Sequence, residues 1–375
     1  MSGFKLELHI LSNLQFSESR KHGRNSKVFT YYGYHKHDSL CNTTLPNEIS
    51  IQLGLFADYS LYQRFERKFG KTNDSVIVRR KLNDFILTIL HQAQLVIESD
   101  PLEPRLKLML SNFVIWKELF KDKNLNMAHY MRRFCEYQQA LKKRFHGETW
   151  DHALLLTGFD LAYRGKTRFS GYGTTGSLCL PDSCAVVEAR NYKAAYTVVH
   201  ELGHAMGMRH DGVENNCSRH CCIMGPVVSS GTHLWSECSR KEYQRFLRRV
   251  KCNRYPEWCL DSPKKRTVVD FRKSRKLPGQ KVPLSAQCRQ YLGSCFWPFL
   301  KEPFSNLTNV CREVWCTDGS SFVNASHAAL EGTYCGHQAW CRGGKCIRAT
   351  ETLVAVNGGW SEWSIPNDDG DGRCS

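Results

Sequence analysis

The chain has 375 residues, 41% of them apolar and 11% aromatic, with 52 basic and 36 acidic side chains for a formal charge of +16. That length and composition allow two or three domains with a sizeable core, and exclude wholesale disorder. No run of eighteen apolar residues occurs, so no transmembrane helix is expected.

Residues 1–48 are polar, with scattered His and Lys, and read as a propeptide remnant or flexible arm. They contain no apolar run of signal-peptide length, so the chain is read as lacking its leader. "ISIQLGLFADYS" (49–60) reads as a strand ending at Asp58. "KLNDFILTILHQAQLVIESD" (81–100) places apolar residues at helical intervals and predicts a core helix. "RLKLMLSNFVIW" (105–116) alternates as a strand does, and 126–145 predicts a second amphipathic helix. "HALLLTG" (152–158) is a short buried strand, and "GYGTTGSLCLPDSCAVVEA" (171–189) offers an edge strand and a turn. "YKAAYTVVHELGHAMG" (192–207) is a helix. This order predicts an α/β fold with a mostly parallel twisted sheet. An extended peptide could add itself to the edge strand before that helix.

"RKEYQRFLRRVK" (240–251) has helical spacing with its charges on an outer face, and "KKRTVVDFRKSRK" (264–276) reads as a basic linker. Both suit a solvated surface or attraction to a heparin-like polyanion. After about residue 260, Gly, Cys, Trp and Ser rise, as in a small domain held by disulfides. The chain has 18 cysteines, dense after Cys179, and no C-x-x-C pair of zinc-finger spacing. Disulfides formed in an oxidising, secretory compartment follow, so nucleic acid is not an expected partner. Five N-x-S/T sequons, at Asn42, Asn73, Asn216, Asn306 and Asn324, agree with that compartment.

"HELGHAMGMRH" (200–210) carries the chemistry. His200 and His204, four apart, share one helix face and can grip one ion. Glu201 can reach a water on that ion. His210 can join only if the chain turns back after the helix, and Gly207 supplies the backbone freedom to do so. Every fixed position matches the metzincin pattern H-E-x-x-H-x-x-G-x-x-H. Met224, in "CCIMGP", stands fourteen residues past His210, where a methionine turn belongs. Residues 225–231 are expected to shape the pocket for the residue after the cut.

From about residue 49 to 364 the sequence resembles the ADAMTS proteins, secreted metzincins with disintegrin-like and thrombospondin modules. "WDHALLLTGFDLAY", "GYGTTGSLCLPDSCAVVEA", "HELGHAMGMRHDG", "LPGQKVPLSAQC", "GTYCGHQAWCRGGKC" and "GGWSEWS" carry the resemblance. It implies a catalytic domain at 49–261, a basic linker at 262–279, a disintegrin-like domain at 280–350 and a truncated thrombospondin repeat at 357–375. It implies one Zn²⁺ on His200, His204 and His210, Glu201 as general base, Met224 in the methionine turn, and Asp211 as the acid after the third histidine. It also implies the disulfides Cys135–Cys184, Cys179–Cys259, Cys217–Cys238, Cys288–Cys316, Cys311–Cys341 and Cys335–Cys346.

Some positions depart from the family pattern. No cysteine lies between Cys316 and Cys335, so Cys295 loses its usual partner. Cys41, Cys221, Cys222, Cys252 and Cys374 stay unassigned, with Cys221 or Cys222 a possible partner for Cys252. Asp261 is a possible calcium ligand, but Gln52 replaces an expected acid, so no full calcium site is expected. Trp360 and Trp363 form the W-x-x-W unit that such repeats can carry mannose on.

The expected function is a secreted, monomeric zinc metalloendopeptidase (metzincin, EC 3.4.24 type) acting on extracellular matrix or other secreted proteins. The alternative is a non-catalytic matrix- or glycosaminoglycan-binding protein that works through its disintegrin-like and thrombospondin parts. An intact Glu201 favours the enzyme.

Overall fold

The computed structural model describes residues 44–69, 75–116, 125–144, 150–167, 169–226, 232–252, 259–260, 269–274, 276–301, 307–325 and 327–348. Cys41, Asn42, Asn73, Asp261, Asn306, Trp360, Trp363, Cys374, most of the 225–231 loop and part of the 262–279 linker lie outside them.

Strand β1 (Glu48–Ala57) sits inside a six-stranded sheet. It pairs in parallel with β2 (Arg105–Ile115) on one side and β3 (His152–Thr157) on the other. Beyond β3 lie β5 (Cys184–Glu188), again parallel, and then the antiparallel edge strand β4 (Gly171–Gly173). The 171–189 segment therefore supplies two strands, and the edge is the earlier one. At the far edge, β6 (Val269–Asp270) pairs antiparallel with β2. It falls within the segment read as a basic linker. There Arg272 forks onto Glu48 (2.7 and 3.1 Å), so that charge is already matched.

The alternation along β1 divides the core. Ile49, Ile51, Leu53, Leu55 and Ala57 face helices α2 (Ser75–Ser99), α4 (Ala194–Ala205) and α5 (Glu237–Cys252). Phe56 faces α3 (Met127–Arg144), where it meets Trp116, Phe134 and Trp150. Gly54 shares that face because a Cβ there would strike the Trp150 ring.

Helix α1 (Tyr59–Phe69) follows β1 directly. Asp58 caps it, accepting from the Leu61 N–H at 2.8 Å, and Leu61, Tyr62 and Phe65 are buried. Helix α2 begins at Ser75, six residues before the expected start at 81.

Among its described residues the disulfide-rich part has two short α-helices, α6 (Pro278–Lys281) and α7 (Leu284–Leu292), and two three-stranded sheets. The first sheet joins β7 (Trp297–Pro298), β8 (Trp315–Thr317) and β9 (Phe322–Asn324). The second joins β10 (Tyr334–Gly336), β11 (Ala339–Arg342) and β12 (Lys345–Arg348). Cys288, Cys311, Cys316, Cys335 and Cys341 form much of its small core. This part is welded to the main sheet domain, because Ala328 and Leu330 belong to the same apolar cluster as α2. Glu331 is buried at that seam. Both its carboxylate oxygens accept from the Gly343 N–H (2.9 and 3.0 Å), and its own N–H donates to Gln92 Oε1. Burial pushes its carboxyl up to about 7.

The structure joins Cys135–Cys184, Cys179–Cys259, Cys217–Cys238, Cys288–Cys316, Cys311–Cys341 and Cys335–Cys346. It corrects one expectation: Cys221 bonds its neighbour Cys222, their Cα atoms being 3.7 Å apart, so neither is left for Cys252. Cys252 and Cys295 are both disulfide-bonded, so Cys295 is not left without a partner. Asn216 is exposed, as a glycan acceptor must be, whereas the Asn324 amide is half-buried and donates to Glu313.

Candidate metal centre

Helix α4 carries His200, Glu201 and His204, and it stops where the motif's glycine predicts. Gly207 takes φ +83°. Its N–H donates to the His204 carbonyl (2.8 Å), while the Met208 N–H donates to Gly203 (3.0 Å). This paired closure is the Schellman stop, which needs a left-handed residue at that point. The chain then doubles back and delivers His210.

The three rings converge. His210 Nε2 lies 3.1 Å from His200 Nε2 and 3.1 Å from His204 Nε2. A tetrahedral zinc with Zn–N bonds of about 2.0–2.1 Å sets its nitrogen ligands about 3.3–3.4 Å apart. The outward nitrogens fix the tautomers. His200 Nδ1 donates to the Ile223 carbonyl (2.7 Å) and His204 Nδ1 to the Met208 carbonyl (2.8 Å). A carbonyl only accepts, so each Nδ1 holds the proton and each Nε2 turns a lone pair inward. Desolvation, ahead of the neighbouring rings, holds His200 down to about 4 and His204 well below the usual range. Three neutral imidazoles on one point are the donor set zinc takes, so the residues fit the ion.

Glu201 is 4% exposed, and its Oε2 has no hydrogen-bond partner among the described residues. Burial pushes its carboxyl up to about 8. Two glycines of β4 make room for it. A Cβ on Gly171 would stand 2.5 Å from Glu201 Oε1, and one on Gly173 would stand 2.9 Å from Oε2. The edge strand thus passes directly over the carboxylate.

Met224 is fully buried against the underside of α4. Gly203 gives it space, since a Cβ there would overlap the Met224 sulfur. Asp211, also fully buried, ties this turn to α5. Its N–H donates to the Met224 carbonyl (2.9 Å), and its Oδ1 accepts from Ser236 (2.6 Å). The Ser236 hydroxyl also accepts from the Ser239 N–H (3.0 Å), capping that helix. Asn215 braces the His210 loop: its amide donates to the His210 carbonyl (3.0 Å) and its Oδ1 accepts from Gly212 and Cys217.

The local sequence does not mark Gly171, Gly173 or Asn215 as parts of the site, nor does the motif fix Gly203. A signal for Gly203 exists nonetheless, since it occupies a variable position of the motif on the helix face above Met224.

The comparisons agree with this geometry. Residues 51–255 match the Reprolysin (M12B) family zinc metalloprotease, and residues 278–347 match the ADAMTS cysteine-rich domain 2. A Caenorhabditis elegans relative, "A disintegrin and metalloproteinase with thrombospondin motifs adt-1", is 29% identical over 84% of this chain and 22% of its own. The human "A disintegrin and metalloproteinase with thrombospondin motifs 7" is 30% identical over 75% of this chain and 17% of its own. Its human counterpart 16 is 29% identical over 76% and 23%. The chain therefore spans about a fifth of the length of these relatives. A solved chaperone–substrate complex overlays 54% of this chain and 35% of its own at TM-score 0.36 and 13% identity, too little to bear on fold or function. The chain belongs to the reprolysin (M12B) family of zinc metalloproteases, in its ADAMTS branch.

Proposed function

We propose that the chain is an active zinc endopeptidase that hydrolyses peptide bonds of secreted proteins, extracellular matrix among them. The carrying observation is the meeting of three imidazole Nε2 atoms beside a buried carboxylate that has an unpartnered oxygen. His200, His204 and His210 would hold the ion. When bound, zinc acidifies a water toward a pKa of about 7 and polarises the scissile carbonyl. Glu201 would act as general base, accepting a proton from the attacking water and passing it to the leaving amine. The outer edge of β4 pairs with the substrate backbone in extended form and lays it across Glu201. Met224 and Asp211 hold the floor and the third ligand in register.

In this reading residues 49–261 are the catalytic domain and 280–350 the disintegrin-like domain. The protein works as a monomer outside the cell. The dense disulfides and the exposed Asn216 sequon support that location, and no described helix is long and apolar enough to cross a membrane. The reading does not call on calcium. At the candidate position Gln52 is a buried neutral amide whose backbone N–H donates to Asp151 (2.8 Å), and calcium wants several anionic oxygens.

The test is cleavage mapping of a matrix extract, with wild type and Glu201→Ala run side by side. New peptide termini with the wild type alone support the proposal. Zinc-loaded, folded wild type that produces none refutes it.

A further inference from the structure

One strongly charged cleft lies away from the zinc site. It opens between α1, the β3 exit at Gly158–Phe159 and the β5–α4 connection, with a volume of about 580 Å³. Arg64, Arg67, Lys68 and Arg190 line it. Arg289 and Gln290 of α7 stand at its far side, where the Lys68 ammonium donates to Gln290 Oε1 (3.4 Å). Arg64, Arg67 and Lys68 follow i, i+3, i+4 spacing, so they share one face of α1.

The balance of charge in the cleft is unusual. Arg190 approaches Asp160 (3.4 Å) and Glu188 (3.7 Å). Among the described residues, Arg64, Arg67, Lys68 and Arg289 have no carboxylate partner. Among the described residues Arg64 Nη1 is buried without an acceptor, while its Nη2 reaches the Arg190 carbonyl (3.3 Å). Burial, then Arg190 and Arg67, hold the Arg64 guanidinium below its usual value. Burial, then Arg289 and Arg64, do the same to Lys68. A fold that gathers repelling cations around an unpartnered guanidinium N–H is short of an anion there.

We propose that this cleft binds the sulfate groups of an anionic polysaccharide, with Arg64, Arg67, Lys68 and Arg190 as its contacts. The cations run along a helix face and across to a second module, which suits consecutive charges of a chain better than one small ion. The choice of sulfated polysaccharide rests on the extracellular placement proposed above, and not on catalysis. The site also differs from the α5 stripe and the 264–276 segment to which the sequence alone pointed.

The experiment is calorimetric titration of the full chain with a heparin decasaccharide. Two double variants of equal charge are compared, Arg67→Gln/Lys68→Gln in the cleft and Arg245→Gln/Arg248→Gln on α5. Losing two charge-assisted contacts should weaken binding about tenfold or more in the cleft variant. The α5 variant should stay within about twofold, because its charges act only through screened solvent. The dependence of log affinity on log salt should flatten by about one for each cleft contact removed. Glu201→Ala should bind as wild type, which separates this idea from the protease proposal. On unmodified protein the oligosaccharide should slow acetylation of Lys68 and spare Lys241, a readout independent of how the variants fold. An equal loss in both double variants, or unprotected Lys68, would overturn the site. Anionic phospholipid vesicles bound as tightly through the same residues would overturn the assignment of its occupant.

Discussion

The Gly171→Ala variant probes the site through a residue that contributes no functional group. Its new methyl would stand 2.5 Å from Glu201 Oε1 and 2.6 Å from Thr197 Cγ2, against ordinary contact from 3.4 Å upward. The strand backbone is tied to β5 through the Gly171–Val187 pairing, so the Thr197 methyl must give way and the carboxylate is the functional part that must move. It has to withdraw by roughly 1 Å, and a misplacement of about that size can cost 100-fold in rate. That lies within the 10²–10⁴-fold or so that a general base supplies. The expectation is a kcat about 100-fold lower on a fluorogenic peptide, with zinc content unchanged, because no ligand is touched. Gly173→Ala should be milder, since its methyl would stand 2.9 Å from Oε2. Wild-type kcat in a folded, zinc-loaded Gly171→Ala protein would refute the placement of Glu201 under β4.

Two further predictions test the supports. Gly203→Ala drives a methyl into the Met224 sulfur. Overpacking of this kind costs about 1–3 kcal/mol, so its Tm should fall, and Gly203→Ala/Met224→Ala should recover part of the loss; an unchanged Tm for the single variant would count against the contact. Glu331 is one pH-sensitive group of the seam, beside His233 (4.0 Å), its carboxyl raised from 4.5 to about 7 by burial, with the Gly343 hydrogen bonds opposing the shift. The folded form holds the proton more tightly than the unfolded one, so stability is full below the ordinary value and falls as pH rises from about 4.5 through about 7. The span is worth about 3 kcal/mol, and urea unfolding across that range should show a shallower decline in Glu331→Gln. Identical pH slopes for the two proteins would remove Glu331 from the account.

Much of this architecture is legible in local sequence. The apolar alternation of β2 and the helical spacing of α2, α3 and α5 each specify one face, and tertiary packing agrees with them. The zinc motif is legible for the same reason: i, i+4 histidines and a helix-stopping glycine are rules of one short segment. Helix α1 is missed because the strand pattern of β1 runs straight into it. Its signal is nevertheless present in Asp58 as a cap and in apolar Leu61, Tyr62 and Phe65. The roles of Gly171 and Gly173 cannot be read locally, since each depends on a glutamate some thirty residues later. Cys221–Cys222 shows the same limit, because periodicity carries no information on which sulfurs meet. The burial of Glu331 arises only when two modules close on each other. The cationic cleft is hidden likewise, since Arg190 joins Arg64 and Arg289 joins Lys68 through space alone.

On the proposal above, the three converging rings bind one zinc. Metal analysis of the gel-filtered protein by mass spectrometry, wild type beside His210→Ala, tests it most directly. The account predicts one zinc per wild-type chain and a near-complete loss in His210→Ala, with the helical content of α4 retained. Zinc-free wild type after incubation with the metal, or full occupancy in His210→Ala, would contradict it.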